Sequence, residues 1–359
     1  MIRTRAEILI VGGGIAGLST AYHLAQAGQR GVLLLDREAL PGFYASGHNA
    51  GVGRQLTGRP EHTALTIEGR SRLAQAGLLD QRGGFLVAAD SGGTATLARE
   101  AEHFHLQVER GLGTPLPGFK AAEFLWIPSD GFIDVDGVLQ RCTEGARAGE
   151  AELRYGCQVQ SIQPVADGFE VLTNQGLIHA GRLVNAAGAW AQEVGRMAGG
   201  LDIPFLPLRR HLIWSNVVHP QEQPWIWWAD RPLYLRAESG GLLLCACEED
   251  RVPLPAPQQQ PESDDYILEN LSASLRELAP GLADLAIARL WCGLRTFAPD
   301  RRFTIGPDPV NPRLFWVAGL GGHGMTSGLA VGHLAAELIQ GRGDAGLLAP
   351  TRLLAAVTS

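Results

Sequence analysis

The first 36 residues consist of two short apolar runs with a segment of helical periodicity between them. The apolar runs occupy residues 8–11 and 32–35, and the apolar positions between them predict a helix from Ala16 to Ala27 that ends at Gly28. Two apolar strands joined by one helix are typical of a β-α-β unit, in which the strands lie parallel in a buried sheet. We therefore expect the chain to open with such a unit.

The same two periodicities continue along the chain, so that strands and helices alternate. Helices are predicted within residues 58–79 and at 95–109, 135–148, 264–278 and 324–340, and strands at 84–90, 151–185, 204–247, 287–294, 302–305 and 314–318. Residues 111–134 are rich in proline and glycine and predict loop, and the proline- and glutamine-rich segment 251–263 predicts an exposed loop inside a domain. This order of elements predicts the α/β fold class.

A glycine-rich turn, GGGIAG over residues 12–17, joins the first strand to its helix, and Asp36 ends the second strand. Gly12 permits the tight turn, Gly14 lets the backbone approach a pyrophosphate, and Gly17 lets the helix pack closely on the sheet. The helix N-terminus offers N–H groups to phosphate oxygens, and Asp36 can accept hydrogen bonds from a ribose diol. The motif therefore predicts an adenine-dinucleotide site without saying which dinucleotide binds.

Composition excludes several classes of protein. With 359 residues the chain is long enough for two domains, and its hydrophobic content of 45% and charged content of 19% are ordinary for a globular protein. A net charge of −7 argues against a nucleic-acid partner, which needs a basic face. The sequence has no run of 18 apolar residues, so we predict no transmembrane segment.

The five cysteines have no spacing typical of a disulfide framework, and no cluster of histidines accompanies them. We therefore predict no metal site and a reducing compartment, either the cytoplasm or, peripherally, the inner membrane of a bacterium. Cys245 and Cys247 alternate in an apolar run, and we expect both thiols on one face of a strand.

A second glycine-rich turn lies near the C-terminus, where residues 316–328 read WVAGLGGHGMTSG. The pattern around it again predicts strand, turn and helix. A nicotinamide enzyme has no general need for such a turn so far from the first one. In a flavoprotein, the helix N-terminus can lie against the N1–C2=O edge of the flavin, where negative charge gathers on reduction. The two turns together therefore favour FAD over NAD.

Seven segments, in the same order along the chain, carry a resemblance to a known family. They are the fingerprint with Asp36-Arg37-Glu38, residues 41–50, 184–190, 208–211, 233–235 and 291–295, and the C-terminal Gly-His-Gly-Met turn. On these segments the chain resembles the D-amino acid oxidase-like (DAO) superfamily of FAD-dependent amine oxidoreductases. Within it, the chain is similar to the glycine and sarcosine oxidase group, and most of all to bacterial D-arginine dehydrogenase.

The resemblance implies two domains. One is a Rossmann-type FAD-binding domain of the glutathione reductase type 2 group, which would comprise residues 1–80, 137–200 and 306–359. The other is a discontinuous substrate domain built on a mixed β-sheet, which would comprise residues 81–136 and 201–305. The flavin ring would lie between the two domains.

The resemblance also implies which residues contact FAD. They are Gly12, Gly14, Ile15, Ala16, Gly17, Asp36, Arg37, Ser46, Gly47, His48, Asn49, Ala50, Val159, Ala187, Gly188, Trp190, Gly293, Gly321, Gly322, His323, Gly324, Met325 and Thr326. Sarcosine oxidases of the superfamily bind the flavin covalently through a cysteine. Gly293 stands at that position here, and the neighbouring Cys292 would face the other side of a strand, so we predict non-covalent FAD.

By the same resemblance, an amino-acid substrate lies over the flavin with its carboxylate held by arginine and tyrosine. Arg295 falls at the clamping position, and Arg210 and Tyr234 fall at further positions that contact the substrate. The implied reaction moves a hydride from Cα of a D-amino acid to flavin N5, and the imino acid hydrolyses to a 2-oxo acid and ammonia. The electron acceptor would be oxygen, a quinone or another carrier.

Other functions stay open, because the same clamp suits a glycine- or sarcosine-type amine oxidase or a 2-hydroxy acid dehydrogenase. A flavoprotein can also keep FAD as a non-catalytic sensor or structural element. Gly84 stands where D-arginine dehydrogenase has an acidic residue, and Arg54 and Thr57 stand in the loop that holds the tyrosine lid of that enzyme. We therefore count Arg54 among the active-site residues and expect a substrate with a neutral or acidic side chain.

Overall fold

The computed structural model describes residues 3–354. Its strands are β1 Arg3–Val11, β2 Val32–Leu35, β3 Val52–Gly53, β4 Leu79–Asp80, β5 Gly84–Ala88, β6 Glu109–Leu112, β7 Glu123–Ile127, β8 Gly131–Ile133, β9 Glu152–Arg154, β10 Val159–Val165, β11 Gly168–Thr173, β12 Gly176–Asn185, β13 Leu206–Ser215, β14 Trp225–Trp228, β15 Tyr234–Glu238, β16 Gly241–Cys245, β17 Asp250–Arg251, β18 Arg289–Phe297, β19 Thr304–Pro307 and β20 Leu314–Ala318. Its helices are α1 Ile15–Gln26, α2 Pro60–Gln75, α3 Ala95–His103, α4 Val135–Ala148, α5 Ala191–Met197, α6 Tyr266–Leu278 and α7 Gly324–Ile339. Short 3-10 turns occur at Gly188–Trp190, Pro280–Leu282, Gly346–Leu348 and Pro350–Leu353.

The first sheet is built around β1. Strands β20, β12, β1, β2 and β9 lie in that order and run parallel. The hairpin of β10 and β11 pairs with the start of β12, and β19 pairs with β20, both in antiparallel fashion. Ile8 and Ile10 pack with residues of α1, α4 and α7, whereas Leu9 and Val11 pack on the opposite face with the hairpin and α5. Burial on both faces explains why these strands are continuous apolar runs.

The second sheet has the strand order β18, β13, β16, β15, β14, β5, β7 and β6, and β17 pairs with β13 next to β16. All its pairings are antiparallel except the one between β14 and β5. The apolar side of α6 packs on one face, with Ile267, Leu271 and Leu275 in a buried cluster with residues of the sheet. A small sheet of β3, β8 and β4 lies apart from the two larger ones.

The two large sheets draw on different parts of the chain. The first takes its strands from residues 3–35, 152–185 and 304–318, and the second takes them from residues 84–127 and 206–297. The domain boundaries expected from the sequence stay a prediction, and their outermost residues, 1–2 and 355–359, lie outside the described part of the chain. Within that part, no helix combines the length and the apolar composition that crossing a bilayer requires.

Two sequence predictions are wrong. The helix predicted at residues 95–109 ends at His103, because His105 has a φ of 52° and an α-helix cannot continue through that conformation. The chain then forms β6, which pairs with β7. Residues 111–134 were expected to be loop but contain β7 and β8, whose residues are Glu123–Ile127 and Gly131–Ile133. Because prolines and glycines flank these short strands, the sequence pattern indicated loop.

Candidate active site

One cavity is lined by residues of both large sheets, with about 1400 Å³ of space free of protein atoms, its open mouth included. At one end lie Gly12 and Asp36, at the carboxyl ends of β1 and β2, and Arg295 and Gly321 also line the cavity. Open α/β sheets bind ligands outside the carboxyl ends of their strands. The cavity therefore joins the two glycine-rich turns that the sequence singled out.

The first turn packs closely against its neighbours because its glycines lack side chains. A Cβ on Gly12, which has a φ of +118°, would lie 2.3 Å from the carbonyl oxygen of Ala186, and a Cβ on Gly14 would lie 3.2 Å from Oγ of Ser46. Gly14 begins α1 without a side-chain cap, and Ser46 Oγ accepts a hydrogen bond of 2.9 Å from the N–H of Ile15. A helix N-terminus with a hydroxyl beside it suits a pyrophosphate, so these residues fit an adenine dinucleotide.

Asp36 lies at the same end, and its carboxylate is fixed by the backbone. Oδ2 accepts a hydrogen bond of 2.5 Å from the N–H of Gly13, and Oδ1 accepts one of 2.8 Å from the N–H of Glu38. Desolvation raises the pKa of Asp36, and the two N–H groups partly offset that effect. Each carboxylate oxygen keeps a further lone pair, so Asp36 can still accept hydrogen bonds from ribose hydroxyls.

Arg37 forms a stacked cluster next to Asp36. Its guanidinium lies 3.8 Å from the centroid of the Trp190 ring, and it donates hydrogen bonds to the hydroxyl of Tyr44 and to Oε1 of Glu38. The rings of Tyr44 and Trp190 lie 4.6 Å apart. The two rings are tilted by 50° to each other, and the guanidinium over Trp190 gives a cationic and aromatic contact that is suited to the planar base of a nucleotide.

The segment 251–263 reaches this cluster from the second sheet. The N–H of Gln258 donates a hydrogen bond of 3.0 Å to Glu38, and Nε2 of Gln260 donates one of 2.9 Å to the carbonyl of Phe43. Pro261 is buried. Most residues of this segment are exposed, as the sequence predicted, and its hydrogen bonds to Glu38 and Phe43 connect it to the segment that follows β2. Its position inside one domain stays a prediction.

The second turn approaches the cavity from the other side. Gly321, which has a φ of +52°, lies so close to Phe297 that a Cβ would be 2.5 Å from its ring. Gly321 and Met325 line the cavity, and α7 begins at Gly324 without a side-chain cap. Desolvation and the charge of Arg54 lower the pKa of His323 well below 6.5. His323 is therefore neutral at pH 7, at a helix N-terminus that is free to face a ligand.

Two arginines project from one face of the second sheet. Arg210 on β13 lies opposite Gly293 on β18, and Leu208 lies opposite Arg295, and alternate residues of a strand share a face. Arg295 is 5% exposed, and desolvation lowers its pKa. Its Nη2 donates a hydrogen bond of 3.0 Å to the carbonyl of His48, and in the described chain its Nη1 has no partner. A buried cationic nitrogen without a partner indicates an anionic ligand.

Tyr234 and Trp227 extend the same surface. They lie opposite each other on β15 and β14, and their rings stack with centroids 4.3 Å apart. Desolvation raises the pKa of Tyr234 well above 10, and the positive charges of Arg295 and Arg210 oppose it only in part. The phenol therefore stays protonated and can donate a hydrogen bond.

Arg54 also lies against the Trp227 ring. Its guanidinium is 4.4 Å from the centroid of the indole ring, and its Nε donates a hydrogen bond of 2.7 Å to the carbonyl of Leu56. Desolvation lowers the pKa of Arg54 to about 10, so the side chain keeps its charge at pH 7. The four residues named from the sequence for the substrate, Arg54, Arg210, Tyr234 and Arg295, are thus brought together.

Most of the residues expected to contact FAD line the cavity. They are Gly12, Gly14, Ile15, Ala16, Asp36, Arg37, Ser46, Asn49, Val159, Ala187, Gly188, Trp190, Gly321, Gly324 and Met325. The remainder lie next to cavity-lining residues in the chain, and they are Gly17, Gly47, His48, Ala50, Gly293, Gly322, His323 and Thr326. Gly17 allows the close packing expected from the sequence, because a Cβ there would lie 1.9 Å from the carbonyl oxygen of Gly12, and its contact with FAD stays a prediction. The contacts of the others with the cofactor stay predictions.

Several cavity residues escaped the sequence reasoning, among them Tyr44, Cys157, Glu193 and Thr296. Tyr44 stands inside the segment 41–50 that carries the resemblance, and Thr296 directly follows Arg295, so both had a signal nearby. Cys157 had none, since its N–H donates to the carbonyl of a residue far away in the chain, Asp36. Among residues 3–354, no group of His, Cys, Asp and Glu side chains has the arrangement of a metal site.

The chain matches the family DAO, described as FAD dependent oxidoreductase, over residues 7–338. Mitochondrial dimethylglycine dehydrogenase of Rattus norvegicus is 30% identical over an alignment of 378 positions. The alignment covers 94% of this chain and 43% of the rat protein. This chain therefore spans less than half the length of that relative. Glycine oxidase of Bacillus licheniformis is 26% identical over an alignment of 361 positions. This alignment covers 95% of this chain and 94% of the enzyme.

The same fold occurs in a solved structure. L-proline dehydrogenase from P. horikoshii has a TM-score of 0.84 with this chain at 23% identity, and the match covers 99% of both chains. This likeness confirms the expected α/β flavoenzyme fold, and the family match confirms the resemblance and FAD as the cofactor. The chain belongs to the DAO family of FAD-dependent oxidoreductases.

Proposed function

We propose that this protein oxidises the carbon–nitrogen bond of an amine that carries a carboxylate, with FAD as the electron acceptor. The observation that carries the proposal is Nη1 of Arg295, a buried guanidinium nitrogen without a hydrogen-bond partner in the described chain, on a residue that lines the cavity. A carboxylate is the anion that a planar guanidinium binds with two parallel hydrogen bonds. The names of the relatives, dimethylglycine dehydrogenase and glycine oxidase, agree with such a substrate.

The residues around Arg295 position the substrate. The protonated hydroxyl of Tyr234 donates a second hydrogen bond to the carboxylate, and the Trp227 ring behind it fixes the orientation of the phenol. With the carboxylate held at one point, the carbon that bears the amine takes a fixed place in the cavity. Precise placement is the main contribution of a protein whose cofactor performs the electron transfer.

The charges of the site select the protonation state of the amine. Arg54, Arg210 and Arg295 are cationic, and His323 is held neutral. Nearby positive charge lowers the pKa of an ammonium group, so the substrate amine binds in its neutral form. FAD, when bound, supplies a two-electron acceptor for the hydride that leaves the substrate carbon.

The bonds of the substrate then change in a balanced way. The carbon loses a hydride and a C=N bond forms, which gives an iminium ion. A primary or secondary amine then releases its N–H proton to water and becomes an imine, whereas a tertiary amine stays an iminium ion until water adds. Water adds to the imine and releases ammonia and a 2-oxo acid, or, for an N-methyl group that is oxidised, formaldehyde and the demethylated amine. Neither sequence of steps needs a catalytic base pair of the kind found in hydrolases.

Two substrate classes are proposed within this reaction. A D-amino acid follows from the resemblance to D-arginine dehydrogenase, and an N-methyl amino acid follows from the relative named dimethylglycine dehydrogenase. The two classes are distinguished by adding candidate compounds to the FAD-loaded protein in the absence of oxygen. Oxidation of a substrate then bleaches the flavin absorbance at about 450 nm. The panel comprises D- and L-amino acids, sarcosine, dimethylglycine and 2-hydroxy acids.

We expect one of the two amine classes to bleach the flavin. If a 2-hydroxy acid bleaches the flavin and no amine does, the protein is a hydroxy acid dehydrogenase instead. If nothing on the panel bleaches a flavin that dithionite still reduces, the FAD serves as a sensor or a structural element, and the proposed function is wrong.

A further inference from the structure

The active site contains more buried positive charge than one carboxylate neutralises. Arg54 and Arg295 form no ion pair with any carboxylate of residues 3–354, whereas Arg210 pairs with Oε1 of Glu249 at 3.0 Å. Arg295 has the unpartnered Nη1, and the only hydrogen bond from the Arg54 guanidinium to the described chain uses Nε. The two terminal nitrogens of Arg54 are thus free for a ligand.

Arg54 and Arg295 belong to one continuous surface. Arg54 lies on the Trp227 ring, Trp227 stacks on Tyr234, and Tyr234 lies close enough to Arg295 for the positive charge of Arg295 to act on its pKa. Arg210 lies close enough to both arginines to disfavour their charged forms. Positive side chains gather at this place although their mutual repulsion and their desolvation both cost free energy.

Asp130 and Glu100 offset part of that cost for Arg54, because their negative charges favour its charged form without touching it, and an anion bound to the guanidinium group would offset more. The substrate carboxylate of the proposed function neutralises Arg295 and leaves Arg54 with no carboxylate in contact. Water around Arg54 would not repay its burial, because a desolvated cation is stable chiefly when it is paired. The stack on Trp227 holds the guanidinium plane in place, which suits the two parallel hydrogen bonds of a second carboxylate.

We propose that the substrate is a dicarboxylic amine, with one carboxylate on Arg295 and the second on Arg54. This inference rests on the proposed function for the amine, but the two anion sites do not depend on the chemistry. The dicarboxylate class includes acidic amino acids and N-carboxymethyl amines. Its members place a second acid at the far end of the molecule from the carboxylate on Arg295.

Binding of compounds that cannot be oxidised tests the two sites without turnover. Glutarate and succinate are each compared with their half-amides, which differ from them by one charge and by almost nothing in shape. Isothermal titration calorimetry on the FAD-loaded protein gives the dissociation constants. We expect the diacid of the preferred length to bind about 100-fold more tightly than its half-amide, as for a buried charge pair.

The variant R54Q locates this preference. We expect R54Q to lower the ratio of the half-amide dissociation constant to the diacid dissociation constant by about 100-fold. The control R99Q changes an exposed arginine on α3 and leaves this ratio as in the unaltered protein. If R54Q does not fold, R54K keeps the charge and retains part of the preference. Equal binding of diacid and half-amide by the unaltered protein overturns the inference, whichever variants fold.

Flavin bleaching separates this failure from a failure of the proposed function. Glutamate and glutamine of both configurations differ only in the charge of the side chain. If both bleach the flavin with similar kcat/KM, the oxidation of amines stands and the second anion site is wrong. If diacids bind preferentially but no amine bleaches the flavin, the anion sites stand and the proposed function is wrong.

Discussion

Nη2 of Arg295 donates a hydrogen bond of 3.0 Å to the backbone carbonyl of His48. Nδ1 of His48 in turn lies 3.0 Å from the carbonyl oxygen of Cys292, the residue before Gly293 on the same strand as Arg295. These two bonds attach β18 to the segment 41–50, which follows β2 and lines the cavity. Nη2 of Arg295 thus fixes the side chain, and Nη1 is left for a ligand.

Replacement of Arg295 by lysine tests the clamp. We expect R295K to lower kcat/KM for the best substrate of the panel by about 100-fold, because an ammonium group cannot keep the bond to His48 and also bind a carboxylate through two parallel hydrogen bonds. Most of the loss should appear in KM. The measurement is flavin bleaching at a series of substrate concentrations.

The control for this prediction is R313K, at an exposed arginine between β19 and β20. It should leave kcat/KM as in the unaltered protein. An R295K protein with full FAD content and an unchanged KM would show that Arg295 does not bind the substrate.

The carboxylate of Asp36 gives a second prediction. In D36N one oxygen becomes an NH2 group, which must face the N–H of Gly13 or of Glu38. One buried N–H then loses its acceptor, and a ribose hydroxyl loses one too. We expect the dissociation constant of FAD to rise about 10-fold, as for the loss of about 1 to 2 kcal/mol.

Fluorescence titration of the apoprotein with FAD measures this change. D265N is the matched control, because Asp265 is exposed and makes no side-chain cap at the start of α6. Equal affinity of D36N and D265N for FAD would place the ribose elsewhere.

The sequence predicted correctly those features that depend on residues close together in the chain. The helix at Val135–Ala148 has the predicted bounds, and the turn at residues 12–17 lies where its glycines placed it. Contacts between distant segments were not predictable, because periodicity reports which face is buried and not which partner buries it. The bond from Gln258 to Glu38 joins residues 220 positions apart. The position of Arg54 over Trp227 is of the same kind, and only the resemblance suggested that Arg54 faces the site.

Close packing of α2 against α7 leads to a prediction about stability. A Cβ on Gly69 would lie 2.1 Å from the carbonyl oxygen of Thr326, which is backbone and cannot rotate away. We expect G69A to lower the free energy of unfolding by about 1 to 3 kcal/mol, since the two helices must separate. In G281A the new Cβ meets no atom within 4 Å, so that variant should be as stable as the unaltered protein. Urea denaturation of the two variants decides, and equal midpoints would contradict the predicted clash.

His62 makes stability depend on pH. It is 3% exposed and stacked on Phe303, and Nε2 accepts a hydrogen bond of 3.2 Å from the N–H of that residue. Desolvation lowers the pKa of His62 from 6.5 to about 4. Between these two values the unfolded chain binds more protons than the folded one, so the contribution of His62 is complete above pH 6.5 and is lost as the pH falls towards 4.

Urea denaturation of the unaltered protein and of H62Q, at about pH 7.5 and at about pH 5, measures the effect. The difference in unfolding free energy between the two proteins should fall by about 2 kcal/mol at the lower pH. The comparison with H62Q is needed because burial raises the pKa of Asp130 to about 7, which gives the opposite slope. H103Q, at an exposed histidine, should follow the unaltered protein. A difference that does not change with pH would mean that His62 has the same pKa in the folded protein as in the unfolded chain.

The positions of the cysteines predict that FAD is not bound covalently and that acid releases it from the protein. The thiol of Cys292 donates to the carbonyl of Pro261 at 3.1 Å, and its neighbour Gly293 shares a face with Arg295. Cys292 is buried and is not among the residues that line the cavity. Cys157 does line the cavity, but desolvation raises its pKa, and a thiol that stays protonated is a poor nucleophile. We therefore expect acid precipitation to leave all the flavin absorbance in the supernatant, while flavin fluorescence in the washed pellet would show a covalent bond that this arrangement of thiols does not provide.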